Sequence, residues 1–258
     1  MATQIDFTLS NKVAVITGGA AGIGLSIAQM FIEKGAKVAL LDRSEQVEQV
    51  AHRLNSAVGI WCDVSSEESV KQAVHSVIEE FDRIDILVNC AGIVALAPAE
   101  SLSLEDWNKT LSVNLTGTFL LCQQVGQHML QRGQGKIINL ASQAGIIALP
   151  EHIAYCASKA AIINMTKVMA LEWGPKGLQI NAISPTIVMT DLGKKAWEGE
   201  KGEQMKAQIP ARRFAEPEEI AAAAVFLASG AADMINGHNL VIDGGYTKIG
   251  RASVGKEC

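Results

Sequence analysis

Short apolar runs alternate with longer stretches of helical spacing along most of the chain. The runs lie at 13–17, 37–42, 58–62, 86–89, 136–141, 179–184 and 239–243. They are rich in Val, Ile and Leu and show little polar/apolar alternation, the pattern of strands buried on both faces of a parallel sheet. Helical spacing covers 23–34, 45–54, 67–81, 104–132, 152–173 and 217–228. Strands and helices in that alternation require right-handed crossovers. The expected fold is therefore a single α/β domain, residues 1–258, built on a doubly wound, seven-stranded parallel sheet. One stretch breaks the alternation. Residues 190–211 are rich in Lys, Glu and Gly and contain Trp197 and Met205. They read as an inserted helical flap over a site, with a solvated surface excursion as the alternative. The polar end, 251–258, reads as a frayed tail.

Composition removes several function classes. The net charge is −5 with acids and bases interleaved, so the concentrated basic face that nucleic acid requires is missing. No apolar run reaches the ~18–20 residues that span a bilayer. The segment from Met1 to Lys12 carries Asp6 and lacks the apolar stretch of a secretion signal. A cytoplasmic protein with neither nucleic-acid nor membrane partners is expected. Cys62, Cys90, Cys122, Cys156 and Cys258 include no C-x-x-C pair, and the histidines are scattered, so reduced thiols and no metal site are expected.

The first apolar run leads into Thr17-Gly18-Gly19-Ala20-Ala21-Gly22-Ile23-Gly24 and then a helix. Glycines at a strand-to-helix turn let the backbone approach a pyrophosphate, and the helix start offers free N–H groups and a positive dipole end. A tight turn with no ligand is the alternative. Asp42 ends the second run, 18 residues beyond Gly24. A carboxylate there accepts from adenosine ribose hydroxyls and repels a 2′-phosphate, which favours NAD over NADP. Arg43 adjoins it and leaves residual NADP use open. Asp42 as a helix N-cap is also open, although Ser44 suits that task as well. Asp63 and Asn89 end the third and fourth runs, at the edge where such sheets bind ligands; either is also a plausible turn former.

Tyr155 and Lys159 stand four residues apart in a predicted helix, hence on one face. A phenol with a pKa near ~10 is a poor base at neutral pH, and a nearby ammonium favours its ionised form. Ser142 lies at the end of the fifth run, 13 residues before Tyr155, where its hydroxyl can bond an oxygen undergoing change. Asn114 falls in a predicted helix interior, where asparagine is unfavourable by propensity. Ser142 with His152 also suggests a hydrolase, but the chain has no G-x-S-x-G elbow.

The glycine turn, Asn89-Cys90-Ala91-Gly92, Asn114, Ser142 and Tyr155-x-x-x-Lys159 stand in a familiar order. So do Pro185 with Val188 and Thr190, and the closing Asp243-Gly244-Gly245. In order and spacing the chain resembles the short-chain dehydrogenase/reductase family over roughly residues 9–247. The resemblance implies a Rossmann-type domain. It makes Tyr155 the general acid–base, Lys159 the group that lowers the tyrosine pKa and holds the nicotinamide ribose, and Ser142 the group that orients the substrate oxygen. Asn114 would hold a water that links Lys159 to solvent. Gly18, Ile23 and Gly24 would line the pyrophosphate turn, Asp42 take the adenosine ribose, and Asp63 with Val64 flank the adenine. Asn89 and Gly92 would lie near the ribose, and Pro185, Val188 and Thr190 beside the carboxamide. Two positions depart from the family. Cys90 replaces the second asparagine of N-N-A-G, losing an amide that ties the fourth strand to its neighbour. Thr186 replaces the glycine of P-G, restricting the loop that enters the flap.

Residues 184–197 look like the sugar-alcohol and small-diol dehydrogenases of that family. The expected reaction is NAD-dependent interconversion of a secondary alcohol of a small polyol or 1,2-diol with its ketone. Gln143 and His152 are candidate partners for a second hydroxyl, and Trp197 a candidate apolar wall; either polar residue could equally face solvent. The rival enzyme is a 3-oxoacyl carrier-protein or carbonyl reductase. Its acidic partner would want a basic face, whereas Lys194, Lys195 and Lys201 are interleaved with Glu198, Glu200 and Glu203. The rival from another class is a regulator that binds NAD without turnover, against which the set Asn114, Ser142, Tyr155 and Lys159 argues. The resemblance also implies a homotetramer. Two apolar surfaces are candidates for it, the helices 104–132 and 152–173 and the last strand with 217–228; on the former, Leu120, Leu121, Val125, Ile162 and Met169 are expected to supply the apolar surface, extra core packing being the alternative.

Overall fold

In a computed structural model that describes residues 6–247, the seven apolar runs pair side by side. They are β1 (Val13–Thr17), β2 (Lys37–Asp42), β3 (Ala57–Trp61), β4 (Ile86–Asn89), β5 (Gly135–Leu140), β6 (Leu178–Pro185) and β7 (Asn239–Ile242). Every ladder is parallel, in the order β3-β2-β1-β4-β5-β6-β7. The winding direction reverses between β1 and β4, which opens a crevice beyond their C-terminal ends. The tail 251–258 lies outside the described residues.

Successive strand residues enter opposite cores. Ile16, Leu40, Val88 and Ile138 pack on one side with Ile27, Phe31, Ile220 and Val225. Val15, Leu41, Leu87 and Ile137 pack on the other with Val74, Leu121, Val125 and Met169. Both faces are covered, which is why the strands show no polar alternation.

The covering helices are α1 (Gly22–Glu33), α2 (Val47–His52), α3 (Glu67–Phe81), α4 (Leu104–Leu111), α5 (Gly117–Arg132), α6 (Ile153–Trp173) and α9 (Pro217–Ala228). The side chains of Ser66 and Ser103 cap α3 and α4. The single helix expected over 104–132 is interrupted: Ser112–Thr116 wind as a π-helix, with Asn114 in the middle.

The stretch 190–211 holds two short helices, α7 (Asp191–Ala196) and α8 (Glu200–Gln208). Ile209, Phe214 and Tyr246 bury themselves there with Ile147, Ile187, Met189, Trp197 and Met205. Ile147 belongs to the segment after Ser142, so this small core fastens the flap onto the end of β5. The closing loop holds the flap's far end, with Ala211 N–H donating to the Gly244 carbonyl at 3.1 Å.

The five residues expected to form an outer apolar surface do not. Leu120, Leu121, Val125, Ile162 and Met169 are all buried in the protomer itself. Leu104, Phe119, Ile153, Val168 and Leu171 are the large apolar side chains that α4, α5 and α6 turn outward. Among the described residues, no helix is long and apolar enough to cross a membrane, and no group of side chains could hold a metal ion.

Candidate active site

The glycine turn joins β1 to α1, and α1 begins with no side-chain cap and no acidic residue in its first turn. The N–H groups of that turn, at Gly22, Ile23 and Gly24, are left for an anion. A Cβ on Gly24 would lie 2.2 Å from the Gly18 carbonyl oxygen, so only glycine lets the turn close on itself. Gly22 sits at φ 55°, in the left-handed region.

Asp42 binds this turn from the next strand. Its carboxylate accepts from Ala20 N–H at 3.0 Å and Ser44 N–H at 2.9 Å. It does not cap α2, whose N-cap is Gln46. Each carboxylate oxygen keeps a further acceptor site, the capacity that ribose hydroxyls need. With the uncapped helix start, this fits a dinucleotide. Asp63 accepts from the Ser65 hydroxyl at 2.6 Å and the Ser65 N–H at 2.9 Å, and the hydroxyl bond leads in holding its carboxyl below the usual range. Val64 is buried against Gly117.

Across the crevice, the Thr17 hydroxyl accepts from Cys90 N–H at 3.0 Å and Ala91 N–H at 3.1 Å, stitching β1 to the loop after β4. The Asn89 side chain is buried and donates to Asn139 Oδ1 at 2.8 Å and Cys122 Sγ at 3.2 Å. Asn89 thus makes the tie to the neighbouring strand whose loss the Cys90 departure suggested. The four described cysteines are unpaired thiols. Burial pushes Cys62 up to about 11 and Cys90 and Cys122 up to about 12.

Tyr155 and Lys159 lie one turn apart near the start of α6, with the ammonium 5.5 Å from the tyrosine ring centre. Lys159 is buried and donates to the Leu140 carbonyl at the end of β5, at 2.6 Å. Two residues further on, the buried Ser142 caps a short turn, its hydroxyl accepting from Ala144 N–H at 3.1 Å. Strand β5 thereby sets both the lysine and the serine.

The electrostatics differ from the sequence expectation. Although part of the Tyr155 side chain is open to solvent, desolvation pushes its pKa above the ordinary value, and a hydrogen bond from Ser142 offsets only part of that. Desolvation also pushes Lys159 down, to about 8. Both shifts favour the neutral pair, because one dry environment penalises both charges.

Asn114 is fully buried, and its amide is engaged. Its Oδ1 accepts from Ile93 N–H at 2.8 Å; its Nδ2 donates to the Ile93 carbonyl at 2.9 Å and Ser158 Oγ at 3.2 Å. A Cβ on Gly92 would lie 3.4 Å from Asn114 Oδ1 and 3.7 Å from Lys159 Nζ, so these three residues meet.

On the flap side, Pro185 and Val188 are buried, and Val188 pairs with Ala215 in an isolated bridge. The Thr190 hydroxyl caps α7 by accepting from Gly193 N–H at 3.1 Å, and its methyl would lie 3.2 Å from a Cβ on Gly22. The flap therefore starts against the glycine turn. Gln143 is buried. The His152 ring sits edge-on to Tyr155 at 6.2 Å, with Nδ1 bonded to the Pro150 carbonyl at 2.5 Å. That bond places the proton on Nδ1 and leaves Nε2 of the neutral ring as an acceptor. Trp197 packs on Phe214 at 5.8 Å with Lys201 over its ring at 4.8 Å, so the indole anchors the flap. Asp243, to which the motif reading gave no role, accepts from Gly245 N–H and from Thr247, shaping the loop that holds residue 211.

Residues 18–247 match a family model described as enoyl-(acyl carrier protein) reductase. The chain is 54 % identical over 252 residues to the D-threitol dehydrogenase of Mycolicibacterium smegmatis, covering 96 % of this chain and 97 % of that one. It is 52 % identical over 244 residues to the NAD-dependent glycerol dehydrogenase of Listeria innocua, covering 94 % and 96 %. An NAD+-bound xylitol dehydrogenase of known structure matches with a TM-score of 0.88 at 33 % identity, covering 92 % of this chain and 99 % of that one.

Proposed function

Because the chain belongs to the short-chain dehydrogenase/reductase family, we propose that it is an NAD-dependent dehydrogenase of small polyols or 1,2-diols, interconverting a secondary alcohol with its ketone. The observation that carries this is the convergence of Tyr155, Ser142 and Lys159 on one desolvated edge of the sheet, beside a turn shaped for a pyrophosphate. NAD, when bound, supplies a hydride acceptor. Gly18, Ile23, Gly24 and Asp42 would hold its pyrophosphate and adenosine ribose. Asp63, Val64, Asn89 and Gly92 would bound the adenine and ribose pockets, Asn89 through its backbone. Pro185, Val188 and Thr190 would bound the carboxamide.

In the oxidising direction, Tyr155 acts from its phenolate form, which the positive charge of a bound nicotinamide would favour over the neutral pair of the empty site, and accepts the hydroxyl proton at its phenolic oxygen while the carbon gives up its hydride. Ser142 donates to that oxygen and holds the substrate hydroxyl against it. Lys159 steadies the phenolate, and Asn114 keeps the 92–93 backbone and Ser158 in place around the lysine; a water beside Asn114 would carry the proton onward. Reduction runs the same steps in reverse. Gln143, His152 and Trp197 would supply the surroundings of the reacting carbon. The carrier-protein reductase alternative is weakened by the mixed charge of the flap and by the polyol activities of the relatives.

The decisive measurement is NADH formation, comparing kcat/KM for 1,2-propanediol, glycerol and threitol with 2-propanol, and the reverse rate on an acetoacetyl thioester. A tenfold advantage for the simple alcohol or the thioester overturns the polyol assignment. We place the enzyme in the cytoplasm, consistent with its unpaired thiols, as a homotetramer built on the outward apolar face of α4, α5 and α6.

A further inference from the structure

Asp42 and Arg43 stand side by side at the end of β2, one able to read a ribose hydroxyl and the other suited to a phosphate. The structure pulls them to opposite sides. The Asp42 carboxylate is bound from the turn after β1, where Ala20 N–H donates to it at 3.0 Å. Arg43 is held from β3, where the Trp61 indole N–H donates to its carbonyl at 3.0 Å. The sheet order β3-β2-β1 makes these the two flanks of β2. Trp61 reaches Arg43 because it lies opposite Asp42 in the β2–β3 ladder, and Cys62 N–H extends that pairing to the Asp42 carbonyl at 2.9 Å. Side chains alternate along a strand, so Gly59 and Trp61 share a face. A Cβ on Gly59 would collide with the Val47 carbonyl oxygen, so glycine lets α2 settle on that face. Two residues further on, the indole reaches the loop that leads into α2. The ring is 51 % exposed, yet its one polar group is bonded to that loop. The Arg43 side chain is also exposed. Its charge is felt at Asp63, two residues past Trp61: the bonds from Ser65 lead in lowering that carboxyl, and Arg43 adds to them.

We infer that Trp61 is a positioning residue for the cofactor: by tethering the Arg43 main chain on the β3 side, it leaves Asp42 alone to meet the adenosine 2′-hydroxyl and so sustains a preference for NAD over NADP. This rests on the NAD assignment above, with Asp42 as the reader of the ribose. A guanidinium free to swing toward Asp42 would cancel its charge and offer a fork of donors to a 2′-phosphate. The tether acts on a single peptide plane. The Arg43 carbonyl and the Ser44 N–H belong to the same rigid unit. The carbonyl accepts from Trp61, and the N–H donates to Asp42 Oδ1 at 2.9 Å. The plane is thus gripped at both ends, by the tryptophan on one strand and the aspartate on the next. Without the indole bond it can turn, which loosens the Ser44 contact to Asp42 and releases Arg43 together.

The test is a fluorescence titration with NADH and with NADPH in the wild type, Trp61→Phe, Arg43→Gln and the double variant, with melting temperatures alongside. Phenylalanine keeps an aromatic ring on the strand edge and removes the donor. The wild type should bind NADH more tightly than NADPH. In Trp61→Phe the ratio of the NADPH to the NADH dissociation constant should fall by about fivefold, the worth of one ordinary hydrogen bond. Added to Arg43→Gln, the same substitution should leave the ratio unchanged, because no guanidinium remains to be released. A ratio unmoved in Trp61→Phe, an equal loss for both nucleotides with a lowered melting temperature, or the same fall with and without Arg43 overturns the inference. A wild type that binds neither nucleotide, or binds NADPH more tightly, overturns the NAD assignment on which it stands.

Discussion

Lys159 donates to the carbonyl of Leu140 across 2.6 Å, so the ammonium is tied to the strand that also delivers Ser142. The bond is made in a dry environment that pushes the lysine down to about 8 from its ordinary 10.5. Between those values the unfolded chain keeps a proton that the folded chain has released. The unfolded state then binds more protons, so this group makes stability rise with pH across the window; below about 8 its full penalty is present. In Lys159→Met this contribution should vanish, leaving the opposite slope of the three buried thiols and Tyr155. Relative to the wild type, the variant should lose up to about 3 kcal/mol of standing between the two ends of the window, read by urea unfolding. A stability difference that does not change with pH would refute the assigned burial.

Tyr155→Phe is expected to abolish turnover while leaving NAD affinity within a few-fold. The ring and its edge contact with His152 persist, and only the proton carrier is lost. NADH-formation rates and a fluorescence titration with NADH check the two halves separately. A tenth of wild-type turnover remaining would remove Tyr155 from its role.

Cofactor choice should turn on Asp42. In Asp42→Ser the repulsion toward a 2′-phosphate goes, and kcat/KM should move toward NADP by about tenfold or more. The same change frees the Ala20 N–H now bound at 3.0 Å, so NAD use should suffer as well, through a looser glycine turn. A wild type that prefers NADP would contradict this.

Assembly should depend on Leu171 and Val168, which are 78 % and 46 % exposed on α6. The double variant Val168→Glu, Leu171→Glu places two charges on a face that carries none of the protomer's core. It should split a tetramer into smaller species by light scattering while leaving the melting temperature of the protomer nearly unchanged. A wild type already monomeric at micromolar concentration would dispose of the tetramer.

The inner strands β1, β2 and β4 were legible because they are buried on both sides, which produces near-continuous runs of Val, Ile, Leu and Ala, and β1, β2, β4, α3 and α9 fall where the pattern places them. What the sequence hid depends on neighbours far along the chain. The break in the helix over 104–132 is held by Asn114 bonding to Ile93, 21 positions away. The turn of Asn89 toward Asn139 and Cys122 is a cross-strand fact that periodicity does not encode. Leu120, Leu121 and Val125 looked surplus because a helix wedged among the sheet and other helices needs a wider apolar arc than one lying on a sheet alone. The tyrosine and lysine were readable from spacing, but their pKa values were not, since those follow from the dryness of the finished site.

The π-turn at Ser112–Thr116 acts as a phase shifter between α4 and α5. It carries one residue more than an α-turn needs, and one residue of an α-helix corresponds to about 100° of rotation. Asn114 reaches Ile93 and Ser158 only because that surplus is present. The alignment of this part of the site is thus stored as a length rather than as a side-chain identity. Deleting one residue of the segment would let the two helices run on as a single smooth rod, easier to form yet out of gear with the loop it serves. Such a shortened chain is expected to keep its sheet, as circular dichroism would register, and to lose its turnover.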